Sequence, residues 1–478
     1  MDTKQLFGLI GVACLSLQIH AENIDASVQS ASQIKKEDAT KVEAPMRLAA
    51  KKMLEDQGNW LNDRGISPSF SITQFALENP SAGRDKGQYS GVTIFSLGGH
   101  LDMSKIAGIP GGTIHFDQWY APFVNNPDYP LLGGTGIVAG GSTPYLPRVS
   151  HLVKFTYEQK LLDDTLTLEA GKSNAGDYFG LPVCNNILGC VNTLLQYGGI
   201  NAPAYSNWGA RVAYNYNSRF RAQLGAWRYY PLAQNTNGWE SAKDGLGGKE
   251  STIYLANLLY QTSMKEEAYP QSYEVMLFRN NGTQTDPYYT VNGDSKVLNP
   301  TVPVRERSNA SGFYVSVKKA IWREDAEKLD MTMPTSVSLY GSVAHNLNDK
   351  VGTGLATQVN AGVLLSSPFH SRPLDTYSLN MNWVQLTSRK QKFLEDAHEV
   401  SNSGGSYSPG RNEYSLGIDA NFVLTDSLVA MPFIYKTWGT SAYLDPFGQG
   451  NPSSGIYMGI TLHLQIDELL GLNPQRRR

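Results

Sequence analysis

Along most of the chain, apolar and polar positions alternate with a period of two. Near the end, "SSGIYMGITLHLQ" sets Ile456, Met458, Ile460, Leu462 and Leu464 against Gly455, Tyr457, Gly459, Thr461, His463 and Gln465. The comb recurs where Tyr414, Leu416, Ile418, Ala420 and Phe422 oppose Glu413, Ser415, Asp419 and Asn421. It recurs again where Tyr377, Leu379, Met381 and Trp383 oppose Ser378, Asn380 and Asn382, and where Val153, Phe155 and Tyr157 oppose Lys154, Thr156 and Glu158. Successive side chains of a strand point to opposite faces, so each stretch predicts a strand that is dry on one side and polar on the other.

Sixteen such strands are expected, starting near Ser69, Ser90, Gly112, His151, Thr165, Gly209, Phe220, Ser251, Ser272, Gly312, Thr335, Gly354, Asp375, Asn412, Leu428 and Ser454. Many run about ten residues, against roughly five or six in soluble sheets, and ten tilted residues cross a hydrocarbon layer. Aromatic residues at strand ends (Tyr157, Tyr216, Trp227, Trp383 and Phe422) fit an interfacial girdle. The expected fold class is an all-β, antiparallel transmembrane β-barrel of about sixteen strands. In its last strand the even-numbered residues would face lipid and the odd-numbered ones a watery lumen. That strand lies near the C-terminus because it must pair with the first to remove both edges.

Helical periodicity is confined to "PMRLAAKKMLEDQGNWLNDRG", where Pro45 suits a helix start and Gly58 or Gly65 a stop. The expected division is a signal peptide at 1–21, a polar and helical periplasmic segment at 22–66, the barrel at 67–467 and a periplasmic tail at 468–478. The signal rests on Lys4, an apolar run from Leu6 to Leu17 and the small residue Ala21. No later stretch reaches the ~20 apolar residues of a spanning helix, so beyond the signal the protein is either soluble outside or crosses a membrane as a closed barrel, the other form that satisfies every backbone group in lipid. "NSR" (Asn217–Arg219) and "TDS" (Thr425–Ser427) read as short periplasmic turns. Asn125–Arg148, Tyr178–Asn207, Gln234–Glu250, Asn280–Ser311 and Arg389–Arg411 read as long loops that lie outside or fold into the pore.

Charge and motifs narrow the function. Of 478 residues only 17% are charged, and the formal net charge of −3 argues against a nucleic-acid partner. "GKS" at Gly171–Ser173 lacks the upstream glycine of a phosphate loop, because Leu166 stands there. The glycines at Gly134 and Gly136 have no strand–helix frame, and no hydrolase elbow or zinc-protease motif is present. Histidines are scattered, so neither a metal nor a cofactor is expected. Once Cys14 leaves with the signal, Cys184 and Cys190 remain in an oxidising compartment and suggest a disulfide pinching one loop.

The chain resembles the carbohydrate-selective (OprB-type) porins of Gram-negative outer membranes. The likeness is carried in order by "NWLNDRGISPSFSITQF", "LTLEAGKSNAGDYFGLPVC", "AYSNWGARVAYNY" and "NEYSLGIDANFVLTDSLVAMPFIY". It implies passive diffusion through a sixteen-stranded barrel with a charged and polar constriction. Matched by position, Glu169, Lys172, Arg211, Arg221 and Glu413 are the expected lumen residues, with Tyr178 and Phe179 beside them for stacking. The expected solutes are small sugars, with hydroxylated cyclic acids such as quinate or shikimate as the alternative and a carbohydrate-acting enzyme as the weaker competitor. Expected partners are outer-membrane lipid and small hydrophilic solutes; the oligomeric state, monomer or trimer, stays open. The chain departs from the usual aromatic C-terminus of such barrels by continuing "DELLGLNPQRRR".

Overall fold

In a computed structural model, residues 45–125, 150–184, 192–198, 200, 206–229, 237–239, 251–325, 333–403 and 407–473 are described. A helix, α1 (Pro45–Asp63), precedes the first strand. Sixteen antiparallel strands then close a barrel in sequence order, and β16 (Gly455–Gln465) pairs with β1 (Ile66–Glu78). Between them run β2 (Tyr89–Asp102), β3 (Gly112–Asn125), β4 (Ser150–Leu161), β5 (Leu166–Ser173), β6 (Asn207–Asn215), β7 (Phe220–Tyr229) and β8 (Ser251–Gln261). The set continues with β9 (Gln271–Thr290), β10 (Val304–Arg323), β11 (Ser336–Asn346), β12 (Leu355–Ser366), β13 (Thr376–Leu386), β14 (Asn412–Thr425) and β15 (Leu428–Trp438). Four shorter helices sit in the connections and at the end: α2 (Met103–Ala107), α3 (Thr193–Gly198), α4 (Ser388–Ser401) and α5 (Ile466–Leu470). The predicted signal peptide falls outside the described residues.

Alternation places the faces as expected. On β13, Leu379 and Met381 are nearly half exposed on the outside, while Ser378, Asn380 and Asn382 are buried inside. The inward polar groups form a continuous network: Asn382 donates to Ser415 Oγ at 3.1 Å, and Asn380 and Tyr435 meet Asp419 from two strands. Such pairing is what an inward polar wall requires, since an unpaired buried donor or acceptor costs about 1–3 kcal/mol.

The expectation of a wet inner face on β16 needs correction. Tyr457, Thr461 and His463 do point inward, but they are 2%, 0% and 3% exposed. Tyr457 stacks on Tyr435 at 5.5 Å, and Phe75, Val92, Ile94, Trp119 and Phe433 complete an apolar cluster on this inner wall. Inward does not mean watery here, because inward side chains of neighbouring strands pack on one another. The loop expected at Asn280–Ser311 is also shorter than foreseen. Strands β9 and β10 continue as a paired hairpin, Thr283–Thr285 facing Glu306–Ser308, beyond the barrel wall. The expected loop Arg389–Arg411 contains α4, of which Leu394, Ala397 and His398 are buried.

Connections alternate in length. Turns of two to twelve residues, such as 216–219 and 426–427, join strands at one end, and the connections at the other run from eight residues (347–354) to more than thirty. Short turns mark the periplasmic end of such barrels. α1 and α5 sit at that end. The Asp467 carboxylate accepts the Phe70 N–H at 3.0 Å, and a Cβ on Gly58 would lie 2.5 Å from the Leu472 carbonyl oxygen. Glycine is therefore needed at this helix-to-backbone contact.

Candidate functional site: the inward loop and the charged wall it meets

Among the described residues, the connection after β5 enters the pore. A short 3₁₀ turn, Ala175–Asp177, is capped by the Asn174 side chain accepting from Gly176 N–H at 2.8 Å. It swings the chain inward. Phe179 is then fully buried and meets Trp227 of β7 edge-on at 5.7 Å. Glu274 of β9 accepts from the Gly180 and Leu181 N–H groups at 2.9 and 3.0 Å and from Asn257 Nδ2 at 2.8 Å. Tyr314 of β10 donates to the Leu181 carbonyl at 2.7 Å, and Gln358 of β12 accepts from Leu194 N–H at 3.1 Å. One loop thus bridges β5, β7, β8, β9, β10 and β12 across the inside of the barrel.

Where the loop begins, it meets charges from three adjacent strands. Glu169 of β5 accepts from Thr156 Oγ1 and Tyr178 Oη, both at 2.7 Å. Its other oxygen accepts from Arg211 at 2.7 and 2.9 Å. Arg211 also reaches Glu158 at 3.2 Å and Gln223 at 3.0 Å, and its guanidinium lies 4.0 Å over the Tyr178 ring. Lys154 lies 3.9 Å from Glu169 and 5.3 Å from the Tyr178 ring centroid. A planar guanidinium that bridges two carboxylates and stacks on a ring has its five donors largely committed.

The predicted site residues divide accordingly. Glu169, Arg211, Tyr178 and Phe179 are brought together. Arg221 faces inward on β7 but bonds Asn215 Oδ1 at 2.7 Å, four residues along the strand from the Gly225 that pairs with Arg211, roughly 13 Å away. Glu413 is on the far wall, where it holds Ser441 N–H and Oγ at 3.1 and 3.2 Å. Lys172 is buried opposite Phe155 and Trp208, both residues of the outer face, so it does not line the lumen. Residues three apart on one strand cannot share a face, so Glu169 and Lys172 could not both point inward. Cys184 is buried beside Tyr340 and Leu364, whereas Cys190 lies outside the described residues. Trp227, expected in the girdle, is 2% exposed and packs inside the barrel with its indole donating to Ser173 Oγ at 3.1 Å. Lys154, Glu158, Gln223 and Glu274 were not singled out from sequence, although Lys154 and Glu158 already stood on the polar face of the β4 comb.

Comparison with known proteins decides the family. The model for "Carbohydrate-selective porin, OprB family" matches residues 84–432, well over half of the chain. The chain belongs to that family. It is a porin of the bacterial outer membrane for passive diffusion of small polyhydroxylated solutes such as sugars, and not an enzyme. Porin B of Pseudomonas aeruginosa is 21% identical over 407 residues, spanning 80% of this chain and 86% of that one. The high-pH structure of Pseudomonas putida OprB superposes with a TM-score of 0.71 at 19% identity, covering 85% of this porin and 96% of that chain. This supports the sixteen-stranded closed barrel.

Proposed function

We propose that solute passes this porin beside the inward loop, in contact with Tyr178 and the charges of Lys154, Glu158, Glu169 and Arg211. The observation that supports this most is the meeting of that loop with acids and bases from β4, β5 and β6. Three cations (Lys154, Lys160 and Arg211) stand against three carboxylates (Glu158, Glu169 and Asp177), so the wall does not attract one sign of charge strongly. Close, opposed charges offer donors and acceptors together, as hydroxyls demand. The alternative, a passage for cyclic hydroxy-acids such as quinate or shikimate, needs Arg211 and Arg221 acting as a pair, and Arg211 is already neutralised by Glu158 and Glu169. At this wall a neutral sugar is the better fit.

Liposome swelling tests the reading. Glucose should enter wild-type liposomes, and Tyr178→Ala should change its rate relative to a non-hydroxylated solute of equal size. Equal changes for both solutes would refute a recognition role for Tyr178. We further propose a bond between Cys184 and Cys190, supported by the burial of Cys184 within the inward loop. Closing so short a loop contributes about 2 kcal/mol in the chain-entropy model. Quantitative alkylation of both thiols under denaturing, non-reducing conditions would dismiss it.

A further inference from the structure

The extracellular mouth carries a second cluster of charge, built from connections other than the one that forms the wall just described. It forms where α4, the β9–β10 connection and the β15–β16 connection meet. Lys390 of α4 lies 4.5 Å from the Phe393 ring and 4.5 Å from the Tyr443 ring. Lys296 approaches the same Phe393 ring at 4.9 Å and donates to the Asp286 backbone carbonyl at 2.9 Å. Among the described residues, neither ammonium has a carboxylate within ion-pairing distance. The nearby Asp286 carboxylate is committed to Arg307 at 3.0 Å and to Arg389.

Three features make this arrangement unfavourable as it stands. Two like charges share one ring, and aromatic faces compensate a desolvated ammonium only in part. Arg389 and Lys390 also occupy the first turn of α4, which has no acidic residue, at the positive end of the helix dipole. Burial and the Lys296 charge pull the Lys390 ammonium down to about 7. An anion would relieve all three at once.

We propose that Lys296 and Lys390, with Phe393 and Tyr443, form a capture site at the extracellular mouth for small oxyanion-bearing, ring- or chain-hydroxylated solutes. The oxyanion would sit between the two ammonium groups, and an alicyclic or sugar ring would lie against the exposed part of Phe393, with the buried Tyr443 backing Lys390 from within. A hydroxy-carboxylate and a phosphorylated sugar share this chemistry. The site is separate from the neutral-solute wall, and the inference rests only on the chain being a porin.

The test is block of potassium chloride current in planar bilayers by quinate, by inorganic phosphate and by glucose. Lys296→Gln/Lys390→Gln should raise the half-blocking concentration of quinate, of phosphate or of both at least three-fold. Which of the two moves tells carboxylate from phosphate. Lys296→Arg/Lys390→Arg, which keeps both charges, should stay near wild type, and glucose block should be unaltered in every variant. Anion curves that do not move in the Gln variant, or move as far in the Arg variant, overturn the proposal. So does an equal shift for glucose, which would report a general change at the mouth. Should the double Gln variant fail to assemble, Lys390→Gln alone carries the same expectation. Chloride conductance through each variant reports separately whether the porin still conducts, so failure of the capture site is distinguishable from failure of the channel.

Discussion

Replacing Glu274 by Ala should unfasten the inward loop while leaving the barrel closed. The carboxylate is 1% exposed and accepts three hydrogen bonds, two of them from the loop's own N–H groups at Gly180 and Leu181. Bonds to a charged group contribute about 1.5–3 kcal/mol each, so the two loop bonds amount to roughly 3–6 kcal/mol. Lumen water can partly satisfy the freed N–H groups, which lowers the expected loss to about 2–4 kcal/mol. Besides Tyr178 Oη on the Glu169 carboxylate, the remaining polar anchors are neutral: Tyr314 to Leu181, Gln223 and Asn257 to Tyr178, and Leu194 to Gln358. At about 0.5–1.5 kcal/mol each they match Glu274 only together. The loop should then fluctuate between docked and undocked states. Single-channel recordings of Glu274→Ala should show larger mean conductance and excess open-channel noise. Glu274→Gln, which keeps one acceptor oxygen, should fall between Ala and wild type. Heat-modifiable gel migration should be unchanged, because no ladder of the barrel involves this carboxylate. An assembled Glu274→Ala channel with wild-type conductance and noise would refute the claim that this residue fastens the loop.

Other expectations follow from single contacts. Arg211→Gln removes the cation shared by Glu158 and Glu169, so the potassium-to-chloride permeability ratio from reversal potentials should rise; an unchanged ratio would place this wall off the ion path. Ile418→Arg puts a charge on a lipid-facing residue that is 58% exposed, at a cost of about 2–4 kcal/mol near the midplane. The assembled fraction on a gel should drop, and full assembly would contradict the register of β14. Gly58→Ala forces a Cβ against the Leu472 carbonyl, an overpacking of about 1–3 kcal/mol. Limited proteolysis should then cut within α1 sooner while the barrel stays resistant, and identical cleavage rates would show that the helix does not depend on this contact.

The strands and their facing were legible in the order of residues alone. Fourteen of the sixteen predicted starts lie within two residues of the observed ones, and strand facing is local, since each Cβ must point opposite to its neighbours. The outward rows of β13, β14 and β16 needed no partner to be read. Strand ends beyond the barrel were less legible. "NNGTQTDPYYT" contains Gly282 and Pro287 and reads as loop, yet it runs as strand because β10 supplies the pairing partner. Likewise "SRKQKFLEDAHEVS" has few apolar positions, and α4 is held by burial of Leu394 and Ala397 at the mouth rather than by a broad apolar stripe.

Contacts between remote segments settle which inward residues are clamped, which are covered and which stand unmatched. Trp227 and Trp383 end similar combs, but the first is buried against Tyr178 and Phe179 by a loop some 50 residues upstream, and the second faces outward. Arg211 reads as a free lumen cation until β4 and β5 bring Glu158 and Glu169 to it. Lys296 and Lys390, 94 positions apart, share a ring only because two extracellular connections fold over the same mouth. Facing is fixed by backbone geometry one residue at a time. Charge compensation is fixed by distances between segments remote in sequence, which the order of residues alone does not contain.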